Sequence, residues 1–202
     1  MSHWQTFLDS PDTRGPSLGV REQWHAGRRH FVVWALPVST PSVVRRVDRV
    51  QQALAEHLSP VPLDQLHITV WVAGFLDGDG TRNDDLSFET WAAIQRQIQA
   101  WQEPIPVRIT GASSFPSCPF LQVEAIGSGL DLLRQTIQSI HPNELRFSDF
   151  VPHVTIGSYI RSQATAPLAQ ILGQHRALPP IPLSLLPAEA RVDAHTGTLS
   201  WV

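Results

Sequence analysis

Two segments place a histidine and a threonine one residue apart inside apolar runs: Leu66-His67-Ile68-Thr69-Val70 and Pro152-His153-Val154-Thr155-Ile156. A β-strand points alternate side chains to opposite faces. Ile68 and Val70 then face one way, and His67 and Thr69 the other, roughly 7 Å apart along the strand. Val154 and Ile156 against His153 and Thr155 repeat the arrangement. Two such strands facing one another would line a groove with two imidazoles and two hydroxyls. One imidazole can take a proton from an attacking water or hydroxyl while the other protonates a leaving oxygen. Histidine suits both tasks because its unperturbed pKa, about 6.5, lies near neutral pH. The threonine hydroxyls can donate hydrogen bonds to phosphate oxygens whose charge develops in the transition state. This kit suits the splitting of a phosphodiester and requires no metal and no cofactor.

Alternation extends the two faces. Trp71 falls on the His67 side, and Tyr159 and Arg161 fall on the His153 side, as candidates to stack on a base or touch a phosphate. Other patterns carry less. His57-Leu58-Ser59 ends an apolar helical pattern before Pro60, with no strand around it. Residues 77–85 hold four aspartates, but Arg82 stands where a calcium loop needs glycine and Phe88 where it needs its closing glutamate. Cys118, the single cysteine, has no local histidine partner and excludes both an internal disulfide and a cysteine zinc cluster. All fifteen basic residues are arginine, which removes Schiff-base chemistry and a Walker-type lysine.

The elements that must hold the motifs can be read from periodicity. Residues 1–29 are broken by Pro11, Gly15, Pro16, Gly19 and Gly27 and read as an irregular extension, with Trp4, Phe7 and Trp24 to pack it down. Residues 30–36 read as a strand. Val43, Val47, Val50, Leu54 and Leu58 have helical spacing. The first motif strand covers 66–75, and Ser87 caps a helix carrying Phe88, Trp91, Ile98 and Trp101. Strands over 105–112 and 120–126 precede a helix with Leu130, Leu133, Ile137 and Ile140 on one stripe. The second motif strand spans 150–160, a short helix begins near Pro167, and a hairpin turning at Gly197 closes the chain. A helix precedes a motif strand twice, which hints at two similar lobes.

Composition bounds the partners. A 202-residue chain with 42% hydrophobic and 16% charged residues can bury a core. No apolar run is long enough for a bilayer and no signal peptide is evident, so a cytoplasmic, membrane-free protein is expected. The net charge of -3 argues against gripping long nucleic acids. Were such a surface present, Arg28, Arg29, Arg45, Arg46 and Arg49 would be its source.

On the opening strand Phe31-Val32-Val33-Trp34-Ala35-Leu36-Pro37, both His-x-Thr motifs and the turn over residues 111–116, the chain from about residue 30 to 202 resembles the two-histidine phosphoesterase superfamily, in its 2′-5′ RNA ligase-like and cyclic phosphodiesterase branch. The resemblance implies a bilobal α+β fold: two mainly antiparallel sheets flanking a central groove, with helices outside. It implies acid and base roles for His67 and His153 and phosphate contacts by Thr69 and Thr155. The implied partners are nucleotides or RNA termini bearing 2′,3′-cyclic phosphates or 2′-5′ linkages. An RNA-end or nucleotide-binding module with weak activity is the alternative, and keeping all four motif residues argues against it. A histidine-ligated metallohydrolase lacks the expected His-Glu-x-x-His or clustered carboxylate spacing.

Overall fold

The computed structural model describes residues 2–16, 18–142 and 150–202. The apolar run after Arg29 forms β1 (His30–Pro37), buried along nearly its whole length. Such a strand needs neighbours on both sides, and it has them: β3 (His67–Phe75) on one edge and β9 (Ala188–Asp193) on the other. The short β10 (Leu199–Trp201) completes this half beyond β9. The other half is built from β4 (Ile105–Ser114), β5 (Pro119–Ala125), β6 (His153–Thr155) and β8 (Ile181–Leu185). All pairings are antiparallel, in the order β10-β9-β1-β3-β6-β5-β4-β8. The expected pair of sheets flanking a groove is instead one large eight-stranded sheet, its two four-stranded halves continuous through β3 and β6, where the register pairs Ile68 with Val154.

Helices cover one face. α3 (Pro41–Ala53) buries Val43, Val47 and Val50, and α5 (Gly129–Ile140) buries Leu130, Leu133 and Ile137. α4 (Phe88–Ala100) buries Ile94 and Ile98, its first turn capped by Ser87 Oγ accepting from the Thr90 amide. These stripes meet Trp34, Leu36, Ile68, Val70 and Val154 in the main core. α6 (Thr165–Gly173) adds Leu168 and Leu172 to it. Phe31, Val33, Val72 and Phe75 form a smaller cluster with Trp24, Ala190 and Leu199.

Three local expectations change. The extension holds two short helices, α1 (His3–Asp9) and α2 (Leu18–His25); Ser2 Oγ caps α1 by accepting from the Gln5 amide. α3 stops at Ala53, and Leu58 belongs to β2 (Leu58–Pro60), paired with β7 (Gly157–Tyr159) in a separate two-stranded sheet. The second motif strand is therefore broken after Thr155. Gly157 permits the close approach, since a Cβ there would fall 2.5 Å from the Ser59 carbonyl oxygen. β8 was hidden by Pro179, Pro180 and Pro182, and proline is tolerated there because β8 is an edge strand. His141, just past α5, is buried with Nε2 2.9 Å from the Ala73 carbonyl.

Candidate active site

The pairing of Ile68 with Val154 decides the geometry. In an antiparallel ladder it sets His67 across from Thr155, and Thr69 across from His153. Ile68 and Val154 are fully buried toward the helices, so all four motif side chains share the opposite face, each half-buried. The two histidines are diagonal neighbours, roughly 7–8 Å apart at the backbone. That spacing leaves room for one tetrahedral group between the rings. The flanking registers extend the floor: Pro37 and Ala35 of β1 lie beside His67 and Thr69, and Phe120 and Gln122 of β5 lie beside Thr155 and His153.

Both imidazoles are oriented the same way. His67 Nδ1 lies 2.7 Å from the carbonyl oxygen of Gln65, and His153 Nδ1 lies 2.7 Å from that of Val151. A carbonyl only accepts, so each Nδ1 carries the proton and donates it. This fixes the tautomer and leaves Nε2 as the nitrogen chemically able to accept a proton. The same bond steadies the imidazolium that forms when Nε2 gains a proton. Gln65 also accepts from the Leu199 amide through its side chain, tying the entry of β3 to β10.

Aromatic rings flank each histidine. Trp201 stands edge-on to His67 at 6.1 Å between centroids, so the sheet curls enough to bring its β10 edge back toward β3. On the other side Phe115 meets His153 at 5.2 Å and Phe120 meets it at 5.3 Å, with the two phenyl rings 4.4 Å apart. Sequence reasoning missed Trp201, Phe115 and Phe120. The alternation of β5 around the buried Leu121 could have pointed to Phe120. Only the fold could point to Trp201.

Three other candidates lie elsewhere. Trp71 is 1% exposed and packs in the main core rather than beside His67. The cause is a register shift: Ala35 pairs with Thr69 but Trp34 with Trp71, so Val70 is an extra residue. Such a bulge breaks the alternation and turns Trp71 to the helix-covered face. Its ring lies under the Arg134 guanidinium, 5.2 Å from the centroid. Tyr159 is likewise 1% exposed, because the chain leaves the large sheet after Thr155 to pair with β2. Its hydroxyl lies 2.7 Å from Ser114 Oγ, and burial pushes the phenol well above its usual range. Arg161 is exposed just beyond β7, its carbonyl accepting from Thr13 Oγ1 at 3.2 Å.

Several arginines considered for a basic surface are engaged internally. Arg28 is held by Asp84 and Asp85 at 2.6 and 2.5 Å, Arg29 meets Asp193 at 2.9 Å, and Arg46 donates to the carbonyls of Ile109, Thr110 and Pro179. Among the described residues no group of three or more His, Cys, Asp or Glu side chains is placed to hold a metal ion. Among them, too, no helix is long and apolar enough to cross a membrane.

The sequence pattern of the 2′-5′ RNA ligase superfamily matches residues 25–193. The chain belongs to that superfamily. Residues 2–24, with α1 and most of α2, precede the part that the superfamily pattern covers. No curated protein matches the chain at a significant level. Solved structures share the superfamily fold at low identity. Escherichia coli LigT in apo form is 14% identical with a TM-score of 0.56, covering 87% of this chain and 95% of LigT. A conserved protein of unknown function from Agrobacterium tumefaciens is 15% identical with a TM-score of 0.59, covering 87% and 85%. The protein TT0787 of Thermus thermophilus is 17% identical with a TM-score of 0.52, covering 85% and 93%.

Proposed function

We propose that this chain is a phosphoesterase that needs no metal and cleaves 2′,3′-cyclic phosphates or 2′-5′ phosphodiesters of nucleotides or RNA ends. The observation that carries the reading is the Ile68–Val154 register, which puts two imidazoles and two hydroxyls around one space. One histidine, neutral at Nε2, takes a proton from water as its oxygen attacks phosphorus. The bond from phosphorus to the leaving ribose oxygen breaks, and the other histidine, protonated at Nε2, gives that oxygen its proton. Thr69 and Thr155 donate to the non-bridging oxygens as their charge grows. The exchange leaves the two histidines with their protonation states swapped, ready to be reset through solvent. Membership of the 2′-5′ RNA ligase superfamily supports the substrate class, and the structures of the similarly folded LigT complexed with 3′-AMP, ATP and phosphate support the binding of nucleotides.

The test is a turnover screen with the four 2′,3′-cyclic nucleotides, 2′-5′ dinucleotides and cyclic-phosphate RNA ends, with and without excess chelator. Turnover should survive the chelator and fall at both pH extremes, because one histidine must be neutral while the other is protonated. No turnover of any of these by the folded protein, or a strict metal requirement, sinks the proposal.

A further inference from the structure

The extension ahead of the superfamily's domain is fastened to the half that carries His153. Phe7 is fully buried and stacks on Tyr159 at 6.4 Å between centroids, with the rings 8° from parallel. Trp4 lies under the Arg176 guanidinium, 4.0 Å from the ring centroid. The Arg14 amide donates to Pro116 at 2.6 Å, and the Thr13 amide to Gln163 at 2.8 Å. Gly15 lies so near Arg161 that a Cβ would come within 2.7 Å of its Cα. These contacts hold α1 in one place, and its first residue, His3, is exposed with its ring edge-on to Phe115 at 5.1 Å. Phe115, half-buried, meets His153 in the same manner on its other side. The three rings make a continuous row from the extension to the motif.

We infer that the extension supplies one wall of the substrate site, with His3 and Phe115 receiving the base of the nucleoside whose phosphate sits between His67 and His153. The inference rests on the phosphoesterase reading. A base lies one ribose away from its phosphate, which matches a position two ring contacts from His153. Aromatic rings hold a base by stacking whatever its identity, and an imidazole adds an edge that can donate or accept a hydrogen bond. Nothing in the row reads a second nucleotide, so the wall suits a terminal nucleoside.

The experiment compares wild type, His3→Ala and His3→Phe on adenosine 2′,3′-cyclic phosphate and on ribose 2′,3′-cyclic phosphate, which lacks a base. His3→Ala should raise KM for the nucleotide roughly fivefold, the low end for one stacking contact, with kcat nearly unchanged. KM for the base-free substrate should not move, and His3→Phe should recover most of the loss. Equal KM values for wild type and His3→Ala on the nucleotide, or an equal rise on both substrates, would overturn the wall. A binding readout separates this from the reaction itself. The His3 imidazole proton resonances should shift on titration with adenosine 2′-monophosphate and stay in place with inorganic phosphate. If wild type turns over neither substrate, the reaction reading fails, while the titration still decides for or against the wall.

Discussion

The halves that carry the two motifs orient their histidines alike and surround them differently. In both, a buried valine or isoleucine pins the motif to the core, and Nδ1 donates to a carbonyl two residues earlier. Around that shared unit the halves diverge. His67 begins a nine-residue strand, whereas His153 sits on a three-residue strand that the chain then leaves. His67 is flanked by Trp201, drawn in by the curl of the sheet. His153 is flanked by Phe115 and Phe120, backed by α1. On the proposed phosphoesterase reading, the difference teaches that proton transfer asks for symmetry while recognition does not. An acid and a base that exchange roles need equivalent orientation, whereas the two sides of a phosphodiester carry unlike groups.

The largest test strikes the shared unit. His67→Ala and His153→Ala should each lower turnover by about 10²–10⁴-fold, the usual contribution of general acid–base catalysis, with thermal unfolding little changed. Near wild-type turnover in either variant would break the equivalence of the halves. Thr69→Val and Thr155→Val keep the β-branched shape and remove the hydroxyl. Each should cost about 10²-fold in kcat, the lower end for losing one donor to a developing oxyanion. If only one matters, the phosphate is bound by one half.

A third test concerns stability in the first half. Arg28 and Asp85 are buried partners, and Arg28 also binds Asp84. Removing one partner of such a group strands the other charges, so Arg28→Met should destabilise the fold by about 3 kcal/mol in urea unfolding. The Asp85 carboxyl is held below its usual range: burial opposes ionisation, but the Arg28 hydrogen bond and charge and the Arg82 and Gly80 amides outweigh it. A depressed carboxyl contributes stability above its unfolded pKa, about 4, that is lost as pH falls through the folded value. Arg28→Met should flatten this acid-limb dependence, and an unchanged slope would assign it to other carboxylates.

The smallest expected effect is in the second half. Tyr159→Phe removes the hydroxyl bonded to Ser114 and should cost about 1 kcal/mol of stability while leaving kcat/KM unchanged. A fall in kcat/KM without loss of stability would return Tyr159 to the substrate site.

Much of this molecule was legible in the order of its residues. The alternation in residues 66–70 and 152–156 already divided each motif between a core face and an open face, because strand geometry has a period of two whatever surrounds it. Helical stripes such as Leu130, Leu133 and Ile137 were legible for the same local reason. The extra residue at Val70 was not, since a bulge depends on what the partner strand offers, and it moved Trp71 to the other face. Leu58 and Tyr159 were misread because their pairing joins segments about a hundred residues apart, and neither local pattern contains the other. The sequence by itself determined which four side chains could do chemistry and that each pair would project together. Only tertiary structure decided that the pairs meet, through the single register of Ile68 against Val154, and which rings flank them, because contacts between distant segments are set by the packing of whole sheets and not by any local period.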